Sequence, residues 1–357
     1  MKITHLLSDK PYSGAAIAAC FAVLLLLPWL HLLPSDSALH LSAYWVTLIG
    51  KIMCLALVAL ALDLVWGYAG ILSLGHGLYF ALGGYAFGMY LMRQSASDGL
   101  PDFMRFLSWT ELPWFWVGTE HFLWSLALVV LVPGIIAFVF GFFAFRSKIK
   151  GVYFSIITQA MTFAAALLFF RNETGFGGNN GFTGFKTILG MDITSAPMRA
   201  SLCFITALVL LLCFIGLRHL MNQPYGRVVG AIRDSENRLQ YLGYRTLWYK
   251  LSAWVLSAVI AGIAGALYVP QAGIINPSEM NPVNSIEMAV WVAAGGRGTL
   301  IGPLLGAGVI NTAKTYFTAA SPEAWLLILG ALFIVVTIFL PKGIIGLFDR
   351  FKKERSE

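Results

Sequence analysis

Long apolar runs separated by short polar segments extend along almost the whole chain. About 20 apolar residues cross a bilayer as a helix, because the hydrocarbon core is about 30 Å thick and a helix rises about 1.5 Å per residue. The pattern predicts an all-α fold, a polytopic integral membrane helix bundle with 8–10 transmembrane segments that forms a single transmembrane domain over residues 1–357. The runs that approach this length are residues 15–33, 44–66, 71–92, 122–145, 152–170, 200–218, 251–270, 286–296, 300–317 and 325–340.

The runs 286–296 and 300–317 leave the number of crossings open. The first run is short, and a glycine-rich segment from Gly295 to Pro303 joins it to the second. Two full spans fit this pattern. One re-entrant hairpin fits it as well, because irregular backbone is tolerated at membrane depth when it is buried in protein. Both alternatives leave the two termini on the same side of the membrane.

Basic residues in the connecting segments predict the orientation. Segments 1–14, 146–151, 218–250 and 341–357 hold 16 Lys and Arg residues, whereas segments 34–43, 93–121, 171–199, 271–285 and 318–324 hold 5. Cytoplasmic loops of membrane proteins carry the excess of Lys and Arg. We therefore predict that both termini are cytoplasmic, that residues 219–250 form a cytoplasmic loop, and that 93–121 and 171–199 are external loops.

Composition supports a membrane protein and narrows its chemistry. The chain is 58% hydrophobic and 11% charged, whereas soluble domains carry about 25% charged residues. The basic residues behind its net charge of +7 lie mostly in the loops that set orientation, so membrane lipid is an expected partner and nucleic acid is not. The four cysteines lie inside apolar runs and lack the spacing of metal ligands.

Enzyme and nucleotide-binding motifs do not occur in the sequence. It contains no HExxH, no GxSxG, no Cys/His cluster and no GxxxxGK[ST] phosphate loop. We therefore expect no catalytic residue, no metal site and no cofactor bound by this chain. If the protein works with ATP, another chain must bind the nucleotide.

The loop 219–250 contains a predicted amphipathic helix. Val228, Val229, Ile232, Leu239 and Leu242 recur at helical spacings and form one apolar stripe, which Gly243 follows as a C-terminal cap. Such a helix can lie on the bilayer surface, or it can dock in a groove of a soluble partner. The residues alone do not decide between these alternatives.

Three sequence blocks resemble a known family. The segment from Gly226 to Gly243 resembles the coupling-loop signature of branched-chain amino-acid ABC permeases, and segments 66–85 and 295–307 resemble two further blocks of that family. The resemblance covers residues 44–345. It implies the membrane subunit of an ATP-driven importer in the bacterial inner (plasma) membrane, together with a second homologous permease, two cytoplasmic ATP-binding subunits and an external solute-binding protein.

The resemblance also implies a role for the cytoplasmic loop. It favours the partner groove over the bilayer surface for the amphipathic helix, and it assigns ATPase coupling to one set of residues. These are Gly226, Arg227, Ala231, Ile232, Arg233, Asp234, Glu236, Leu239, Leu242 and Gly243.

Segments 156–162 and 170–183 resemble the urea-transporting branch of the family, and Asp63 departs from the Asn that the family often has. Urea is neutral and polar, so its path needs uncharged groups that donate and accept hydrogen bonds. Candidates for the solute path or for contact with the binding protein are Ser73, His76, Thr158, Gln159, Thr162, Asn179, Asn180 and Glu287.

Each of these assignments has an alternative. A branched-chain amino acid or a related small polar solute is the alternative to urea, and a passive solute channel or an integral membrane enzyme is the alternative class of protein. His76 fits a packed histidine bonded within the protein as well as a path residue. Asn179 and Asn180 also suit the positive-φ turns of a glycine-rich loop.

Overall fold

Helices account for all ten predicted segments. The computed structural model describes residues 11–96, 99–320, 324–339 and 343–346. Both chain termini, and with them the prediction that they are cytoplasmic, lie outside the described residues. The helices are α1 (Pro11–Leu26, continued by a 3₁₀ helix Leu27–Leu32), α2 (Ala43–Asp63, continued by a π-helical turn Leu64–Tyr68), α3 (His76–Ser95), α4 (Asp102–Phe106), α5 (Phe122–Arg146), α6 (Val152–Phe169), α7 (Ala196–Asn222), α8 (Pro224–Tyr241), α9 (Thr246–Ala272), α10 (Pro282–Gly295), α11 (Ile301–Ala320) and α12 (Ala324–Phe339).

Short strands and 3₁₀ turns lie between these helices, an addition to the predicted all-α fold. Strands β1 (Phe182–Thr183) and β4 (Ile274–Ile275) pair antiparallel, as do β2 (Thr187–Ile188) and β3 (Met191–Asp192). The β1–β4 pair fastens the loop 171–199 to the connection that follows α9. The 3₁₀ turns are Trp114–Trp116, Asn172–Thr174, Gly178–Asn180 and Pro277–Met280.

Six helical stretches in the described part of the chain are long and apolar enough to cross a membrane, judged by length and composition. They are Gly14–Leu32, Ala43–Tyr68, Phe122–Arg146, Val152–Phe169, Ala196–Asn222 and Thr246–Ala272. Helix α10 has 14 residues, or about 21 Å at 1.5 Å per residue, which is shorter than the hydrocarbon core. Its pairing with α11 across the turn 296–300 fits the hairpin alternative for residues 286–317.

The predicted span 71–92 is wrong at its start, because α3 begins only at His76. Gly70 has φ +72°, a left-handed conformation that ends the helical path, and residues 69–75 are not helical. An apolar run gives the length of a segment but does not show where its backbone leaves the helix. The break proves central to the candidate site.

The centre of the bundle is built from α2, α3 and α9. The share of buried residues in the 18-residue apolar stretch of each span differs among the helices. It is 72% in α2 and 61% in α9, against 17% in the first span and 22% in α5. Helices α1 and α5 therefore present most of their apolar surface outward, as helices that face lipid do. Helix α3 packs against α9 and α5, and nearly all of its residues are buried.

Glycines allow the central helices to touch backbone to backbone. A Cβ on Gly83 of α3 would lie 2.0 Å from the Gly262 carbonyl oxygen of α9, and one on Gly265 would lie 1.8 Å from the Phe80 oxygen. Close approach of this kind supports helix association in lipid, where burial of apolar surface gives no drive between helices.

The predicted orientation can be tested by thiol labelling. Ser108 and Leu189 are exposed in the loops predicted to be external, and Asn237 is exposed in the loop predicted to be cytoplasmic. In sealed cells, an impermeant thiol reagent should label Ser108→Cys and Leu189→Cys, and it should label Asn237→Cys only after permeabilisation. The parent protein serves as control, because its own cysteines lie within apolar helices. Labelling of Asn237→Cys in sealed cells would contradict the orientation.

Candidate functional site

The non-helical segment 69–75 lies against α6, whose hydroxyls replace the missing helical hydrogen bonds. Ser155 Oγ donates to the Leu72 carbonyl at 2.8 Å, and the Leu74 N–H donates to Thr158 Oγ1 at 3.1 Å. Buried backbone groups that leave a helix need such partners, because each unpaired N–H or C=O in a membrane interior costs roughly several kcal/mol of free energy. Thr158 therefore stabilises the break.

His76 takes part in a closed chain of hydrogen bonds. Ser257 Oγ donates to the Ala61 carbonyl at 2.5 Å, so it accepts from His76 Nε2–H at 2.6 Å. Nδ1 is then an acceptor and receives the Ser73 hydroxyl at 3.1 Å, while Ser73 Oγ accepts the Gly75 N–H at 3.1 Å. This chain assigns the neutral Nε2–H tautomer. The geometry matches the packed-histidine alternative.

The structure brings four of the predicted path residues together around the break. Ser73, His76, Thr158 and Thr162 are all buried, and Thr162 Oγ1 donates to the Thr158 carbonyl at 2.9 Å. Their polar groups bond within the protein. Gln159 is half-buried, and its side chain makes no hydrogen bond among the described residues.

Asn179 and Asn180 are exposed within a 3₁₀ turn of the loop 171–199. Neither residue has positive φ, so the asparagines are not needed for left-handed backbone, contrary to the turn alternative. The positive φ values belong to the glycines around them, Gly175, Gly177, Gly178 and Gly181. The two amides make no side-chain hydrogen bond among the described residues and are available to a partner or a solute.

An aromatic cluster fixes the base of this loop on α3. Phe176 stacks on Phe169 with ring centroids 3.8 Å apart, and Phe182 lies 5.0 Å from Tyr85. Trp116 Nε1 donates to the Gly175 carbonyl at 3.0 Å. The aromatic contacts hold the loop in place, while the amides of Asn179 and Asn180 remain exposed on it.

Glu287 and Lys314 form an ion pair between α10 and α11. Lys314 Nζ lies 2.8 Å from Glu287 Oε2, and the Glu287 side chain is 3% exposed. The second carboxylate oxygen, Oε1, is buried without a hydrogen-bond partner among the described residues. Glu287 is thus half-satisfied, and Oε1 is a free acceptor inside the bundle.

Helix α8 confirms the predicted amphipathic helix and shows what covers its stripe. Val229, Ile232 and Leu239 are buried in this chain's own structure, against α7, α9 and the π-helical turn. Leu242 is 75% exposed, and its neighbour Tyr241 is 90% exposed. The docking surface predicted for Ile232 and Leu239 is therefore already occupied by the chain itself, and the exposed apolar side chains lie at the C-terminal end.

The remaining loop residues take several positions. Gly226 lies at the turn from α7, where a Cβ would meet the Met221 carbonyl oxygen at 2.0 Å, and Ala231 is half-buried. Arg227, Arg233 and Asp234 are exposed. Gly243 has φ +86° and its N–H donates to Gln240, which is the C-terminal cap expected from the sequence.

Glu236 fixes the second half of α8 to the bundle. Its carboxylate pairs with Lys150 at 2.7 Å and with Lys250 at 2.6 Å, and it accepts the Thr246 hydroxyl at 2.9 Å. Burial opposes ionisation of Glu236, but the hydrogen bonds from Lys150 and Lys250 outweigh it, so the pKa of this carboxyl lies below its ordinary value. No local sequence pattern indicates this cluster, because Lys150 and Lys250 lie in other segments of the chain.

A polar cavity of about 330 Å³ is bordered by the middle of α8, by the break and by the α5–α6 turn. Gly70, Lys150, Arg233 and Ser235 are among its lining residues. Ser235 has extended backbone angles (φ −163°, ψ 91°), so α8 is kinked where it borders this space. The kink divides α8 into a half that carries Arg233 and a half that carries Glu236.

Comparison with known proteins identifies the family. A family model described as "Branched-chain amino acid transport system / permease component" matches residues 44–337. The high-affinity branched-chain amino acid transport system permease protein LivM of Salmonella typhimurium is 24% identical over 315 residues, which cover 82% of this chain and 68% of that protein. The probable branched-chain amino acid transport permease protein LivM of Methanocaldococcus jannaschii is 24% identical over 321 residues, 81% of this chain and 89% of that protein.

A relative with a different named solute also matches. The autoinducer 2 import system permease protein LsrC of Yersinia pseudotuberculosis is 29% identical over 152 residues, 40% of this chain and 43% of that protein. No solved structure matches the chain. The chain therefore belongs to the permease family of branched-chain amino-acid transport systems, and it is a multi-pass transport subunit of the bacterial inner (plasma) membrane rather than an enzyme.

Proposed function

We propose that this chain is a permease subunit of an ATP-driven importer and that the C-terminal end of α8 contacts an ATP-binding subunit. The observation that carries the proposal is the exposure of Tyr241 and Leu242 at the end of a helix whose Val229, Ile232 and Leu239 are buried. Because this chain covers Val229, Ile232 and Leu239, α8 cannot lay these side chains on the bilayer. Its exposed end is suited to a groove in a soluble partner.

The ion pairs of Glu236 connect the C-terminal end of α8 to the membrane helices, so this end can transmit a displacement to them. A force on Tyr241 or Leu242 reaches α9 and the α5–α6 turn through the ion pairs with Lys250 and Lys150. A passive channel has no use for such a contact. The proposed assembly has two cytoplasmic ATP-binding subunits, a second homologous permease and an external solute-binding protein, with lipid around the bundle.

We propose urea as the solute. The names of the relatives differ in solute, so residues of this chain have to supply the argument. Asn179 and Asn180 offer exposed amides that donate and accept, as urea does. Asp63 accepts two backbone N–H groups and Lys314 pairs with Glu287, so these charges are engaged within the protein. Charged groups that bond within the protein suit a neutral solute.

A branched-chain amino acid is the second candidate. The names of the LivM relatives favour it, and one atom of the structure does as well. Glu287 Oε1 is a buried acceptor without a partner among the described residues, and a solute ammonium group would satisfy it. Glu287→Gln should therefore reduce amino-acid uptake and leave urea uptake unaffected.

The docking role of α8 can be tested with charge substitutions. Leu242→Asp and Tyr241→Asp should weaken copurification of the ATP-binding subunits, because the new carboxylate would be desolvated in the groove. Loss of a central contact costs about 2 kcal/mol, or roughly 30-fold in affinity. Ser147→Asp, which adds the same charge to the exposed α5–α6 turn, is the matched control. Normal copurification and uptake by both variants would contradict the docking role.

The solute can be tested by competition in the assembled importer. We expect uptake of labelled urea that depends on ATP and on the binding protein, and that unlabelled leucine does not block. Asn179→Leu with Asn180→Leu should reduce uptake at unchanged protein level, since the bulk remains while the amides are lost. Thr183→Val in the same loop is the control. Transport blocked by leucine instead of urea would establish the second candidate.

A further inference from the structure

Asp63, at the end of α2, is fully buried and bonded to a turn far away in the sequence. Its Oδ1 accepts the Gly298 N–H at 2.6 Å, and its Oδ2 accepts the Leu300 N–H at 3.1 Å. An ionised carboxylate only accepts hydrogen bonds, and both oxygens find donors here. Asp63 thus fastens α2 to the turn that joins α10 and α11.

That turn has a backbone conformation that needs support. Gly296 and Gly298 have φ values of +119° and +75°, and Leu300, which is not a glycine, has φ +58°. A left-handed conformation is strained for a non-glycine residue and persists only when its surroundings fix it. Leu300 is 2% exposed, and the bond from its N–H to Asp63 is one of the contacts that fix it.

The π-helical turn 64–68 lies directly against the α10–α11 turn. A Cβ on Gly67 would lie 2.1 Å from Asp63 Oδ1 and 2.4 Å from the Gly298 nitrogen, so the interface has no room for a methyl group. The Arg297 guanidinium lies 5.7 Å from the centre of the Trp66 ring. Two elements in such close contact must move together.

Helix α8 contacts the same π-helical turn from the other side. Arg233 Nη1 donates to the Gly67 carbonyl at 2.8 Å. Its side chain also packs on Gly70, where a Cβ would lie 2.7 Å from Arg233 Cγ. Arg233 belongs to the half of α8 before the kink at Ser235, and it borders the 330 Å³ cavity, which gives this half space to shift.

We propose that Asp63 and Arg233 are positioning residues that connect α8 to the α10–α11 hairpin through the π-helical turn 64–68. A displacement of α8 by its partner is passed to Gly67, and from there to Gly298 and Leu300 through Asp63. The hairpin is then the membrane element that responds to ATP. This inference rests on the proposed contact between α8 and an ATP-binding subunit.

A purely structural role for Asp63 predicts a different result. If the carboxylate only stabilised the fold, its loss would lower protein level, ATP hydrolysis and uptake in parallel. A connecting role predicts assembled complexes that hydrolyse ATP but move less solute for each ATP. The ratio of uptake to hydrolysis therefore separates the two roles, whatever the absolute activity.

The test uses the importer reconstituted in vesicles with its partner subunits. Asp63→Leu should lower the ratio of solute uptake to ATP hydrolysis at least tenfold, with labelled urea and labelled leucine as probes. Asp63→Asn should lower it severalfold, because its Oδ1 still accepts from Gly298 while its amide cannot accept from Leu300. Thr206→Val in α7 removes a fully buried hydroxyl that donates to the Leu202 carbonyl and accepts from Gln271, and it should leave the ratio unchanged. An unchanged ratio in both Asp63 variants would overturn the proposal.

Hydrogen exchange gives a second measurement that does not depend on the ATP-binding subunits. In the purified full chain, Arg233→Ala should accelerate exchange at the Gly298 and Leu300 amides at least tenfold, and Arg233→Lys should do so less, since lysine can still donate to Gly67. Unchanged exchange in Arg233→Ala would overturn the connection. Failure of α8 to bind a partner, with accelerated exchange retained, would refute the proposed function while supporting the connection.

Discussion

Inside a bilayer, each backbone N–H and C=O must find its partner within the protein. A continuous helix meets this requirement most simply. Residues 69–75 are not helical, and the surrounding structure supplies the hydrogen bonds that the helix would have made. Ser155 and Thr158 of α6 bond to the freed backbone, and the chain Ser73–His76–Ser257 closes around the start of α3. The polar residues of the bundle centre are therefore chiefly partners of backbone, which explains why so many hydroxyls lie among apolar helices.

The break also decides how the cytoplasmic loop meets the membrane domain. Where the backbone leaves the helix, the Gly67 carbonyl becomes available, and Arg233 of α8 binds it. Beyond the kink, Glu236 binds Lys150 and Lys250 instead. The two halves of α8 thus contact different parts of the bundle: the first contacts the π-helical turn, and the second contacts the α5–α6 turn and α9. A regular helix in place of the break would remove the first connection.

The helix bundle was predictable because apolar length is a property of single segments. A helix matches each of the ten predicted segments, but the bounds differ: α3 begins at His76 rather than at residue 71, and α9 begins at Thr246 rather than at residue 251. The periodicity of α8 identified Ile232 and Leu239 as one apolar face, but it could not show that the chain's own helices cover that face. Contacts such as Asp63 with Gly298 join residues far apart in the sequence, and no local pattern contains them. The glycine-rich loop indicated a turn, yet only the φ values separate the glycines that need left-handed backbone from the asparagines that do not.

The shortness of α10 has an electrostatic consequence. Because α10 ends at Gly295 and α11 begins at Ile301, the amino-terminal end of α11 lies inside the protein, next to Asp63. A helix N-terminus carries the equivalent of about half a positive charge. The carboxylate of Asp63 is therefore placed in a field that favours an anion without any lysine or arginine bonded to it. Basic side chains nearby remain available for other contacts: Arg297 for the Trp66 ring and Arg233 for the Gly67 carbonyl.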